Sequence, residues 1–143
     1  MPRQNIAAEA LLGIEGLESA SPWALAHSIE AGLPVAALEQ FTEIMAPDDA
    51  LFKYRLVPKA TLQRRKKSTG RLTTNEGDRL VRLARVFSFA IEIYGKPDRA
   101  REFLRRPHPM LGDKPPLDVA LTSSPGADLV INLLGRAAYG GAV

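Results

Sequence analysis

The sequence predicts an all-α protein built around a helix-turn-helix, and three observations carry that expectation. Apolar residues recur at helical spacing along several stretches, and no run alternates polar with apolar in the way a strand requires. Prolines and several glycines fall where helices start and stop. The cations are crowded into the middle of the chain. Residues 53–106 hold 16 Lys and Arg against 5 Asp and Glu, a balance of +11, whereas residues 1–52 hold 1 against 8, or −7, and residues 107–143 hold 2 against 3, or −1. A net charge of +3 therefore conceals a strongly polarised molecule.

A chain of 143 residues suffices for one domain or two very small ones, and a hydrophobic share of 45% provides for a core. The absence of cysteine excludes disulfides, thiolate metal sites and cysteine nucleophiles, and fits a reducing compartment. No apolar run approaches the roughly 18 residues of a membrane span, and the first residues lack a basic head followed by an apolar stretch. The expected setting is the cytoplasm, without membrane attachment.

Each element has its own local signals. Residues 4–20 are ambiguous, because Gly13 and Gly16 interrupt a helical pattern. Ser21-Pro22 reads as an N-cap followed by a first-turn proline, and Gly32 closes that helix. Pro34 to Met45 is amphipathic, with Val35, Leu38, Phe41 and Met45 near one face. Pro47-Asp48-Asp49 is expected to start a short helix to Tyr54, with Arg55–Val57 as a turn and Pro58–Lys67 as the next helix. Thr73 and Glu76 have capping-box spacing and open a long helix to Tyr94, stopped by Gly95 and Pro97. Asp98–Arg106 is a short helix, residues 110–116 a loop, and Leu117–Leu121 a turn or two. Ser124-Pro125 caps a last helix to Ala138.

The helix at Pro58–Lys67 carries the first candidate site. With Leu62 facing inward, a rotation of 100° per residue places Ala60, Gln63, Arg64 and Lys67 outward, with Thr61 at their edge. Arg65 and Lys66 flank the buried side and reach outward along their stems. Arg pairs with guanine and Gln with adenine in the major groove. Lys59, Lys66 and Lys67 suit phosphates, which position a protein without reading sequence. The expected DNA-binding set is thus Lys59, Thr61, Gln63, Arg64, Arg65, Lys66 and Lys67, on the recognition helix of a helix-turn-helix. Set against this is a simple solvated charged face. Four consecutive cations repel one another, so neutralising groups are expected nearby, and the acidic first 52 residues are candidates.

The long helix changes character midway. Leu80, Leu83, Ala84, Phe87, Ile91 and Tyr94 form one apolar stripe; the opposite side carries Asp78, Arg79, Arg82 and Arg85 first, then Val86, Phe89 and Ile93. A helix apolar nearly all round is buried on most faces, so a second small core begins near Arg85, and Phe89 and Ile93 are candidates for contact with a second subunit or with that core. In the last helix Leu129, Val130, Leu133, Leu134 and Ala137 form a stripe opposite Asp128, Asn132 and Arg136. His27 and His108 lack metal-spaced partners, and neither a nucleophile motif nor a phosphate loop is present. No catalysis, cofactor or metal is expected.

The segments Gly77–Phe87 (GDRLVRLARVF), Tyr94-Gly95, Ala100–Leu104 (AREFL), Pro109–Gly112 (PMLG), Pro116-Leu117, Leu133–Arg136 (LLGR) and Tyr139-Gly140, with Pro58–Arg65, resemble the Xre/MbcA/ParS-type antitoxins, partners of RES-domain toxins. The resemblance covers roughly residues 33–143. It implies a Cro/C1-like helix-turn-helix domain followed by a small helical toxin-binding domain, in a homodimer. The division is then an N-terminal helical extension at 1–32, the DNA-binding domain at 33–88 and the toxin-binding domain at 89–143. It further implies a toxin that resembles ADP-ribosyltransferases and degrades NAD, an antitoxin whose C-terminal end blocks the toxin's active-site entrance, and repression of the antitoxin's own operon through operator DNA. Asn132, Arg136, Tyr139, Gly140, Gly141 and Val143 are the implied toxin-binding residues. The turn Arg55–Pro58 departs from the family pattern in having no glycine, and Phe52 and Tyr54 stand where small residues are usual. The alternative is a stand-alone dimeric transcriptional regulator whose C-terminal half only dimerises.

Overall fold

The structure is a computed structural model that describes residues 8–13 and 21–138. The expectations placed on Tyr139, Gly140, Gly141 and Val143, and on most of residues 4–20, lie outside the described residues. Within them the chain is all-helical: α1 (Ala8–Leu11), α2 (Pro22–Ala31), α3 (Val35–Met45), α4 (Lys53–Leu56), α5 (Lys59–Lys67), α6 (Thr74–Tyr94), α7 (Pro97–Arg105), a 3-10 turn (Pro109–Leu111), α8 (Pro116–Thr122) and α9 (Ser124–Ala138). Extended backbone pairing among the described residues is limited to two isolated bridges, Pro34 with Arg71 and His108 with Lys114. The chain divides into two compact units between Ala84 and Arg85, inside α6.

In the first unit, α2 begins as its sequence dictates. The Ser21 hydroxyl accepts the Ala24 N–H at 3.2 Å, and Pro22 occupies the first turn, where its missing N–H costs nothing. Gly32 ends it at φ 102°, and its N–H donates back to the Ser28 and Ile29 carbonyls. A Cβ there would lie 3.1 Å from the Leu72 carbonyl oxygen, so glycine serves both the turn and the close approach of the Arg71–Leu72 segment. That segment is stitched to the α2–α3 loop by Leu72 N–H to Leu33 carbonyl at 2.8 Å and Val35 N–H to Gly70 carbonyl at 2.9 Å. Leu38, Phe41 and Met45 of α3 and Leu80 of α6 are fully buried, with Leu33, Leu62 and Leu83 nearly so. These residues make the core on which α4 and α5 rest.

The helix expected from Asp48 to Tyr54 does not form there. Residues 47–52 are turns, and regular α-helix runs only from Lys53 to Leu56. The physical reason is local. The Asp49 carboxylate accepts the Leu51 N–H at 3.0 Å and the Asp49 carbonyl accepts the Phe52 N–H at 3.2 Å, so the acid closes a tight turn instead of starting a helix. The link to α5 is Val57-Pro58, later than the expected Arg55–Val57 turn. Val57 is extended (φ −138°, ψ 122°), and no residue of the link has positive φ. The chain reverses here through an extended residue followed by proline, and glycine is not required.

The second unit is organised by α8 and α9. The Ser123 hydroxyl accepts the Gly126 N–H at 3.0 Å, so Ser123, not the expected Ser124, caps α9. Gly126 is buried directly against the Val119 carbonyl of α8, a contact open only to a residue without a side chain. Ala127, Val130, Leu133 and Leu134 continue that buried face. Leu129, which spacing puts in the same stripe, is instead 56% exposed. The buried arc centres on Val130, and one residue earlier the helix has turned 100° away. On α6, Val86, Phe87, Ala90 and Ile91 are completely buried, whereas Phe89 and Ile93 are half-buried.

Replacing Gly126 by Ala is expected to destabilise the chain by about 1–3 kcal/mol, since the added methyl forces α8 and α9 apart. Denaturant unfolding checks this, with Gly135→Ala as a control, because a Cβ at Gly135 meets open space.

Candidate nucleic-acid and partner-binding surfaces

Helix α5 presents the surface its periodicity predicts. Leu62 is buried at 2% exposure, Thr61 is half-buried, and Lys59, Ala60, Gln63, Arg64 and Lys67 are exposed. The four adjacent cations do not act alike. Arg65 turns away from solvent, with Nε 3.3 Å from Glu76 Oε1 and Nη2 3.4 Å from Glu76 Oε2, a two-pronged contact. Lys66 forms an ion pair with Glu39 of α3. The expected neutralisers thus exist, one from the acidic first 52 residues and one from α6. Arg65 and Lys66 flank the buried side as expected, and there they pair with Glu76 of α6 and Glu39 of α3, Lys66 staying exposed. Arg64 and Lys67 carry no ion pair among the described residues, so the outward charge of α5 rests on them and on Lys59.

Glu76 has a second task. Its Oε1 accepts the Thr73 N–H at 2.8 Å while the Thr73 hydroxyl accepts the Glu76 N–H at 3.2 Å. This is the capping box the sequence predicts, and it starts α6 in the place where Arg65 can meet it. Burial alone raises the Glu76 pKa. The Thr73 backbone N–H and the Arg65 guanidinium outweigh burial and hold the carboxyl below its usual range. Beside α5, the Tyr54 ring lies near two ammonium groups, Lys53 Nζ at 5.5 Å and Lys59 Nζ at 6.0 Å from its centre. Arg79 Nη1 donates to the Leu56 carbonyl at 3.3 Å, closing the end of α4, and Arg82 pairs with Asp78 at 2.7 Å.

The second unit carries a different surface. Asn132 and Arg136 are exposed on α9, and with Leu111 and Leu133 they line a shallow pocket completed by Met110 and Leu129. Met110 and Leu129 are 58% and 56% exposed, unusually high for large apolar side chains. Sequence reasoning passes over both: spacing puts Leu129 in the core and leaves Met110 in an undifferentiated loop. That loop is in fact a closed turn. The His108 N–H donates to the Lys114 carbonyl at 3.1 Å, the His108 carbonyl accepts the Leu111 and Asp113 N–H groups, and Gly112 has φ 65°. The structure thus brings Asn132 and Arg136 together with four apolar residues, Met110, Leu111, Leu129 and Leu133. It leaves Phe89 and Ile93 half-buried on α6. Among the described residues no cluster of His, Asp or Glu suits a metal ion, and no helix is long and apolar enough to cross a membrane.

Comparison with known proteins matches both units in turn. Residues 24–85 match the antitoxin Xre-like helix-turn-helix domain, and residues 89–140 match the antitoxin Xre/MbcA/ParS C-terminal toxin-binding domain. The chain is 28% identical over 127 residues to a protein named antitoxin Xre from Yersinia enterocolitica serotype O:8, covering 87% of this chain and 85% of that one. It is 28% identical over 142 residues to a protein of the same name from Photorhabdus laumondii, covering 97% and 95%.

The Glu76 geometry sets a pH dependence. A carboxyl whose folded pKa is depressed contributes stability that is fully present above its unfolded value, about 4.5, and is lost as pH falls through the folded value. Thermal melts of the chain and of Glu76→Gln are expected to differ most near neutral pH, with the gap closing below about pH 4. A gap that is constant with pH removes the charge as the cause.

Proposed function

The chain belongs to the Xre/MbcA/ParS-type antitoxins, and from that premise we propose that it neutralises a NAD-degrading RES-domain toxin by covering the toxin's active site and represses its own operon through α5. The observation that carries this reading is the pair of matches, a helix-turn-helix domain followed by a toxin-binding domain, which together account for both units of the fold.

For DNA, the proposed contacts are sorted by what each side chain has left to offer. Arg64 and Gln63 are exposed on the outward face and are suited to base edges; Lys59 and Lys67 are suited to phosphates. Arg65, half-buried, and Lys66, exposed, tie α5 to α6 and α3. A homodimer would present two copies of α5 to two half-sites, and Phe89 and Ile93, half-buried on α6, are the proposed contact. For the toxin, the proposed surface is the exposed row Leu129, Asn132 and Arg136 with Met110, continued by Tyr139, Gly140, Gly141 and Val143. Neither role requires a catalytic group or cofactor, and the proposed setting is the cytoplasm, where both operator and NAD are found.

Two experiments separate the halves of this reading. The first measures neutralisation: deletion of residues 136–143, or Leu129→Glu, should abolish protection of cells expressing the partner toxin while the purified chain keeps its melting temperature. Protection that survives the deletion rejects occlusion by the C-terminal segment and favours a stand-alone regulator. The second measures operator binding against salt. Lys67→Ala should lower the slope of log affinity against log salt by about 0.9, and Arg64→Ala should cost about 1–3 kcal/mol and relax base preference. Arg65→Ala, by contrast, should act mainly through a lowered melting temperature.

A further inference from the structure

A cleft of about 460 Å³ in the second unit has no part in either proposed role. It is lined by Tyr94 at the end of α6, by Arg99, Glu102 and Phe103 of α7, and by Arg106 and His108 beyond it. Three of these residues contribute aromatic rings to the lining. The Tyr94 and Phe103 centres are 5.3 Å apart at 34°, and the His108 ring meets Phe103 edge-on at 6.3 Å. Arg99 and Arg106 are exposed and carry no ion pair among the described residues, in contrast to Arg101 on the same helix, which is held by Asp98 at 2.6 Å. The His108 Nδ1 accepts the Met110 N–H at 3.2 Å, which places the imidazole proton on Nε2. The Tyr94 phenol is pushed up by burial, with Arg106 close enough to oppose that shift.

The chemistry of these groups specifies a ligand. Two guanidiniums, a phenol and an imidazole N–H are donors, and they suit an anion with several acceptor oxygens. The half-buried Phe103 and Tyr94 rings, tilted by 34° to one another, each offer an apolar face of the kind on which a base stacks. The Glu102 carboxylate is exposed at the rim and accepts from hydroxyls, as an acidic residue does with a ribose. A volume of this size lies in the range of small-molecule sites. The geometry points to a binding site for a nucleoside monophosphate, its base on Phe103 and Tyr94, its phosphate on Arg99 and Arg106, and its sugar hydroxyls on Glu102.

The proposed ligand is a small molecule, so the test needs only the purified chain. Calorimetric titration with adenosine 5′-monophosphate should give saturable binding. Adenosine alone and inorganic phosphate alone should each bind at least about tenfold more weakly, because each fills half the site. The double variant Arg99→Gln with Arg106→Gln changes two exposed side chains and should keep the melting temperature while weakening the nucleotide at least about tenfold. Phe103→Leu, which keeps bulk but removes the ring, should weaken adenosine 5′-monophosphate and leave phosphate unchanged. Absence of saturable binding to the unaltered chain overturns the site. Phosphate binding as tight as the nucleotide overturns the base platform, and undiminished binding by the double variant overturns the role of the arginines.

Discussion

The structure of the first unit depends on one carboxylate. Glu76 caps the N-terminus of α6 through Thr73 and, with the same oxygens, receives the Arg65 guanidinium from α5. A helix start and a helix–helix joint are thereby made by one group. The consequence is geometric. The axis of α5 is tied on one flank to α6 by Arg65 and on the other to α3 by Lys66 with Glu39. The only buried residue of α5 is Leu62, too little apolar surface to orient a helix of nine residues. Ionic struts supply the orientation that packing does not. The Arg65–Glu76 strut is partly shielded, with side-chain exposures of 26% and 17%, so it resists screening better than a surface pair.

Much of this was legible in the sequence, because local chemistry set it. The Ser21 cap with Pro22, the stop at Gly32, the Thr73–Glu76 box and the inward Leu62 all come from rules that operate over three or four residues, and the structure has each of them. The misreadings share a cause. Pro47-Asp48-Asp49 looks like a helix start, but the choice between capping a helix and closing a turn depends on how the next residues are placed in space, and the Asp49 carboxylate takes the turn. Leu129 fits an apolar stripe by spacing, yet the stripe's centre is set by where Gly126 meets Val119, which no periodicity reveals.

The candidate surfaces were legible to a lesser degree, for a related reason. Residue type and spacing identify α5 as the basic helix, but cannot tell which of Arg64, Arg65, Lys66 and Lys67 are engaged. Partners distant in the chain decide that, Glu76 for Arg65 and Glu39 for Lys66. A run of like charges in sequence thus becomes a division of roles. Two of the four adjacent cations tie the helix to its neighbours, and two stay exposed without an ion pair among the described residues. Spacing puts Asn132 and Arg136 on one side of α9, where both are exposed, while Met110 escapes notice because a closed turn of Pro, Gly and His residues gives no periodic signal.

Helix α9 illustrates how such a surface differs from a mere exposed patch. Its inner face is fixed by Gly126 against the Val119 carbonyl and by Val130 and Leu134, which are fully buried. Its outer face carries Leu129, Asn132 and Arg136 at i, i+3 and i+7, a single row on a packed scaffold. A protein that exposes large apolar side chains loses the free energy their burial would give, and Leu129 and Met110 share the lining of a shallow pocket. Covering that pair with a partner recovers the burial at small entropic cost, because the backbone of α9 is already ordered. In the proposed contact the polar members of the row would lie at the rim, Arg136 with a planar donor fork and Asn132 with both donor and acceptor. A helix held rigid from behind and apolar at the centre of its front is the arrangement that turns modest area into a specific contact, and it requires no chemistry beyond packing and hydrogen bonds.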